Sequence, residues 1–143
     1  MRSLRLSLVL LLLCGCASAP TPQPDTASPD QSGVADSKDK IEVVGIGAPN
    51  PILPSETQRK ATARDAALAK ARYELSAVVR SLVLQSGITL EGAAELDPTL
   101  LDRIIQEIAD AETKTEFTPD DGCIMTLRLS KSKLGENLGV RFK

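Results

Sequence analysis

The 143-residue chain has no histidine and no tryptophan, only three cysteines, and only three aromatic residues, Tyr73, Phe117 and Phe142. Each shortage removes a class of chemistry. Without imidazole the chain cannot assemble a Ser-His-Asp or Cys-His nucleophile system, a histidine-ligated zinc site or a histidine pH switch. Three aromatics cannot build a base-stacking platform, and 17 basic against 19 acidic side chains give a formal net charge of −2, with no global field to draw in nucleic acid. No nucleic-acid partner is expected, and the length bounds the chain to one small domain.

What is present begins with the first residues. Arg2 and Arg5 precede an almost unbroken apolar run from Leu6 to Leu13, closed by Cys14-Gly15-Cys16. Eight residues rise about 12 Å as a helix, against a hydrocarbon core of about 30 Å, so the run is too short for a permanent span. The pattern predicts an export signal over residues 1–15. Leu13-Cys14-Gly15-Cys16 resembles a bacterial lipobox, with a large aliphatic residue three before the cysteine and a small one just before it. That resemblance implies cleavage between Gly15 and Cys16 and a thioether from the Cys16 thiol to diacylglycerol. Membrane lipid, through acylated Cys16, is then the expected first partner. Two or three acyl chains, at roughly 0.8 kcal/mol per buried methylene, hold a chain on a bilayer far more firmly than one does. The competing reading is an ordinary secretory signal cut after Ala17-Ser18-Ala19. Ala17 stands where an inner-membrane retention signal would place Asp, so outer-membrane delivery is the expectation.

Loss of Arg2 and Arg5 takes the formal charge from −2 to −4. Residues 16–40 then carry Pro20, Pro22, Pro24 and Pro29 among Ser, Thr, Asp and Gln, with Val34 the one sizeable aliphatic residue. Such a stretch buries too little surface to offset its ordering entropy, which predicts a disordered linker. Of the cysteines, Cys14 leaves with the signal and Cys16 is taken by lipid. Cys123 stands alone, expected as a small buried core residue.

Residues 41–143 read as the globular domain. Ile41–Gly47 is β-rich, and Pro49, Pro51 and Pro54 prevent its continuation. Gly45-x-Gly47 lacks the third glycine of a dinucleotide fingerprint, so its expected role is close packing beneath a helix or a strand bend. Ser55 with Gln58 resembles a capping box, and the absence of Pro and Gly before Gly87 predicts one long helix with a stripe of Leu68, Ala71, Leu75, Val78, Val79 and Leu82. Asp97 as N-cap and Pro98 at the first helical position predict a second helix to about Ala111, with Leu100, Leu101, Ile104, Ile105 and Ile108 on its apolar face. Thr113–Thr118, a Pro119-Asp120-Asp121-Gly122 turn and Cys123–Ser130 read as a hairpin, with Cys123, Met125, Leu127 and Leu129 facing the helices. Asp120 and Asp121 are expected turn residues, with no metal site. The tail is expected to add one short strand at 139–142 or to fray. The fold expected is α+β: a small, mostly antiparallel sheet of three or four strands packed by one long and one shorter helix, in the order β-α-α-β-β.

At 100° per residue Arg64 projects in line with Leu68, Leu75 and Leu82, and Arg72 borders the stripe. A cation there needs a partner, so Arg64 and Arg72 are candidate interaction residues, through a carboxylate, sheet-edge carbonyls or an external anion. Carboxylates that an enzyme would draw on are Asp65, Glu74 and Asp102, but no spacing joins any two of them. No catalytic residue, metal ligand or cofactor is assigned.

Val43-Val44-Gly45-Ile46-Gly47, followed by Ala61, Asp65, Ala66, Ala67, Ala69 and Ala71-Arg72-x-x-Leu75, a second helix and an Asp-Gly-preceded strand, resembles the LPP-type twenty-kilodalton lipoprotein family. A related module forms the N-terminal part of the flagellar assembly protein T. The likeness covers roughly residues 41–130. It implies a small α/β domain of the bacterial envelope, often lipid-anchored, with no established enzyme activity. The expectation is therefore a lipid-anchored, non-enzymatic structural or interaction module facing the periplasm or the cell surface. A flagellum- or cell-wall-associated assembly factor is the narrower alternative, with envelope or flagellar proteins as partners. A carboxylate-dependent enzyme is the third.

Overall fold

The structure, a computed structural model, describes residues 33–143. The expected signal, the lipidated Cys16 and the linker as far as residue 32 lie outside the described residues. In chain order the elements are β1 (Val34–Asp36), β2 (Lys40–Gly47), α1 (Glu56–Ser81), α2 (Leu90–Leu96), α3 (Pro98–Ala109), β3 (Glu112–Phe117), β4 (Cys123–Ser130) and α4 (Lys131–Leu138). The four strands form one antiparallel sheet in the order β1-β2-β4-β3, so the fold is α+β as expected.

Strict alternation in β2 and β4 puts Ile41, Val43, Gly45 and Gly47 beside Leu129, Leu127, Met125 and Cys123 on one buried face. α1 lies across this face and contributes Ala63, Ala67, Ala71, Leu75 and Val79, a row spaced by four. The row explains the two glycines. A Cβ built on Gly47 would stand 1.9 Å from the Ala63 carbonyl oxygen, and one on Gly45 would stand 2.2 Å from that of Ala67. Gly-x-Gly thus admits the helix backbone against the strand, and the alanines on α1 supply no bulk to hold it off. Leu75, Val79, Ile41 and Val43 fill the other end of the layer. Each large aliphatic side chain buried there contributes about 1.5–3 kcal/mol relative to exposure.

α3 begins as expected, with Asp97 Oδ1 accepting from the Thr99 amide at 3.0 Å and Pro98 in the first turn. Leu100, Ile104 and Ile108 are buried, whereas Leu101 and Ile105, expected on the same apolar face, are 39% and 57% exposed.

Five local expectations are corrected. Val34–Asp36, assigned to the linker, forms an edge strand because β2 offers it a ladder, with Val34 opposite Val43. Ser55 is the N-cap of α1 but its side chain makes no capping bond; Glu56 in the first turn meets the helix dipole instead. α1 stops at Ser81 rather than near Gly87, since Leu82 turns extended and the next two residues bridge to Thr89 and Phe142. Gly87, at φ +88°, serves the turn of that bridge. α2, for which no element was expected, arises in the polar, small-residue stretch between the two expected helices, capped by Thr89 Oγ1, which accepts from the Gly92 amide. The tail folds as α4, capped by Ser130 and closed by Gly139 at φ +69°, with Leu134 and Leu138 buried. Of the strand expected at 139–142, the Leu84–Phe142 bridge is what forms.

Candidate functional site

The candidate site is built from the sheet face opposite α1 and the edge formed by β3. Across that open face the register sets side chains in rows: Ala35, Glu42, Arg128 and Glu112; then Val44, Thr126 and Lys114; then Ile46, Ile124 and Glu116. In the first row Arg128 Nε donates to Glu42 Oε2 at 2.7 Å, and Lys40 Nζ stands 3.7 Å from the same oxygen. This hydrogen bond holds the Glu42 carboxyl below its ordinary value, against partial desolvation. The same bond holds the Arg128 guanidinium more firmly charged. Val44, Ile46 and Ile124 are half-buried, leaving a small apolar strip beside the ion pair.

β3 is exposed at every residue on both faces. Glu112, Lys114 and Glu116 lie on the open face, where Lys114 Nζ meets Glu116 Oε1 at 2.8 Å. Thr113, Thr115 and Phe117 lie on the helix side, and Thr115 Oγ1 reaches Met125 Sδ at 3.3 Å. α1 covers β2 and β4 but stops short of Phe117, which is 48% exposed with Lys60 Nζ 5.8 Å from its ring centre. Lys60 is held protonated chiefly by its bond to Glu56.

The hairpin joining β3 to β4 is fixed by a residue that sequence reasoning did not single out. Arg59 donates through Nε to Asp121 Oδ2 at 2.8 Å, and through Nη1 to the Leu53 carbonyl at 3.2 Å. It thereby ties the loop before α1 to the hairpin turn. Asp121 sits at φ +65°, a left-handed conformation that costs a non-glycine residue about 1–2 kcal/mol, and the partly buried ion pair offsets that cost. The available signal was an Asp, rather than a Gly, ahead of Gly122 in the turn.

The residues nominated from sequence do not converge. Arg64 does not lie on the buried stripe. It is 53% exposed and pairs with Asp65 Oδ1 at 3.0 Å. The physical reason is that a row spaced by four advances about 40° per step, so the buried face of α1 winds around it. The sheet meets Ala63 and Ala67 at one end and Leu75 and Val79 at the other, and the direction occupied by Leu75 is already on the flank at Arg64. Arg72 is exposed as well. Asp65 and Glu74 fall on opposite sides of α1, and Asp102 is exposed on α3. Cys123 is fully buried, and burial pushes its thiol pKa up.

Among the described residues, no cluster of three or more acidic or thiol side chains could hold a metal ion, and no helix is long and apolar enough to cross a membrane. An open groove of about 1000 Å³ runs between the β1–β2 turn, the end of α1 and the C-terminal residues. Its charges are mixed, with Asp39, Lys38, Lys131, Glu136 and Arg141 among the lining residues. Lys131 Nζ closes one wall on Asp36 at 2.6 Å. Comparison with protein-family models, curated proteins and solved structures finds no match to this chain. The likeness to the twenty-kilodalton lipoproteins therefore rests on the residues quoted for it.

Proposed function

We propose that the chain is a lipid-anchored protein of the bacterial envelope, carried at the outer membrane, whose folded domain works as a non-enzymatic interaction module. The observation that carries this reading is the order of features along the chain: basic start, apolar run, Leu-Cys-Gly-Cys, a proline-rich stretch, and then the domain that starts at β1. The domain suits the role through its exposed edge strand and its open, mixed-charge sheet face, which offer backbone and side-chain contacts rather than a closed pocket. A mildly acidic domain held by acyl chains stands clear of anionic headgroups.

Expression of the full chain in a bacterium with an outer membrane, with metabolic fatty-acid labelling and intact-mass analysis, tests the anchor. The parent chain is expected to carry label and to fractionate with membrane, and Cys16→Ala is expected to lose both. A mature N-terminus after Ala19 with no lipid overturns the reading.

A further inference from the structure

We propose that β3 is a self-pairing edge: two copies of this chain join antiparallel through Glu112–Phe117, with Thr115 on the two-fold axis, to make one continuous eight-stranded sheet. The proposal rests on the interaction-module reading and names its partner.

The hydrogen-bonding pattern sets which residues are available. The Thr118 amide donates to the Gly122 carbonyl at 2.9 Å, continuing the β3–β4 register in which residue pairs sum to the same number. In an antiparallel ladder hydrogen-bonded residues alternate, so Glu112, Lys114 and Glu116 turn their amides and carbonyls toward β4. Those of Thr113, Thr115 and Phe117 point outward, and among the described residues no strand pairs with them. β3 is thus a six-residue edge open to pairing, whereas the opposite edge, β1, has three residues.

Charge selects the occupant and its register. A second copy whose sheet faces match must pair outward-pointing residues with outward-pointing residues. Two symmetric registers then engage five residues of each strand. Centred on Lys114, the pairing sets Lys114 against itself and Glu112 against Glu116, all like charges. Centred on Thr115, it sets Lys114 of each copy against Glu116 of the other, and Thr113 against Phe117. Opposite charges directly across a ladder contribute roughly 0.2–1 kcal/mol per pair, and like charges cost as much. On the helix side each Thr113 covers an exposed Phe117, and Thr115 meets its own copy. An arbitrary strand would meet alternating Glu, Lys and Glu, the arrangement that discourages promiscuous edges. This chain satisfies it with its own sequence.

The test uses the full chain in detergent micelles, measured by analytical ultracentrifugation over a concentration series. The parent chain is expected to dimerise. Lys114→Glu and Glu116→Lys are each expected to weaken the dimer about tenfold, and the double swap to restore it. Thr115→Pro removes an outward-pointing amide while sparing the bonds to β4, and is expected to abolish the dimer. Should that proline unfold the chain, Thr115→Cys replaces it, with the expected result a disulfide between copies under mild oxidation, formed faster than in the parent. Thermal melts of each variant separate folding from association. A parent chain that stays monomeric overturns the proposal, as does a dimer indifferent to the β3 charges. Capture of a different protein on β3 without self-association overturns it too, but leaves the interaction-module reading standing. An unlipidated yet dimeric chain removes the anchor and leaves the β3 pairing intact.

Discussion

The approach of α1 to β2 makes the sharpest prediction about this fold. Gly47→Ala places a methyl carbon 1.9 Å from the Ala63 carbonyl oxygen and 2.6 Å from the Ala67 amide nitrogen, both backbone atoms of α1. No rotamer change relieves such a contact. The helix must lift from the sheet, opening space beside Gly45 and Cys123, which are both buried. Overpacking of a core costs typically 1–3 kcal/mol, and a backbone clash belongs at the upper end, so about 3 kcal/mol is expected. For a domain of this size each kcal/mol moves Tm by roughly 4–8 °C, which gives a fall of roughly 12–24 °C. Gly92→Ala in α2 is the control, because its new methyl meets only Thr89 Oγ1 at 3.5 Å. Removing a glycine from a helix there is neutral or stabilises by up to about 1 kcal/mol. Melting of the full chain followed by circular dichroism distinguishes the two. Trimming Ala63 to Gly cannot rescue Gly47→Ala, since the offending atom is a carbonyl oxygen. A Gly47→Ala melt within about 3 °C of the parent would refute the close approach, and with it the account of why the alanine row exists.

Four further outcomes follow from the contacts around the site. Arg59→Ala unties the loop at Leu53 from the turn at Asp121 and is expected to cost about 1–3 kcal/mol, read by chemical denaturation. Asp121→Gly relieves the left-handed backbone but loses the same ion pair, so in an Arg59→Ala background it is expected to stabilise the chain. Acid should weaken the fold: Glu42, Asp97 and Asp120 are each held below the ordinary carboxyl pKa, by Arg128, Thr99 and Thr118 respectively. The unfolded chain then binds protons first, so their contribution is complete above the unfolded pKa and is lost as pH falls from about 5 through the folded one. Melts across that range should show a shallower loss in Glu42→Gln. Finally, Cys123 should resist thiol reagents until the domain opens, so its labelling rate should track global unfolding in denaturant.

Whether a segment was legible in the sequence depended on where its stabilising partner lies. β2, β4, α1 and α3 carry their own periodicity, because each buries one face against the core, and alternation or spacing by three and four records that directly. β1, α2 and α4 carry almost none. Every β1 residue is exposed, and the strand exists because β2 has an edge to offer. α2 buries Leu90 alone, and α4 holds Gly135, a helix breaker by composition, where an added Cβ would press on the Val140 carbonyl at 2.9 Å. The same division runs through the site. The Gly-x-Gly pair was legible as close packing because glycine beside an alanine-rich helix has one economical explanation. A straight helical wheel puts Arg64 on the stripe, whereas the buried row of α1, spaced by four, winds around the helix. Arg59 leaves no local signal because its partner Asp121 lies 62 residues away. The charges of β3 were visible throughout as Glu-Thr-Lys-Thr-Glu. Their meaning came only with the hairpin register, which fixes the outward set as Thr113, Thr115 and Phe117 and so turns an alternating surface pattern into a self-complementary one.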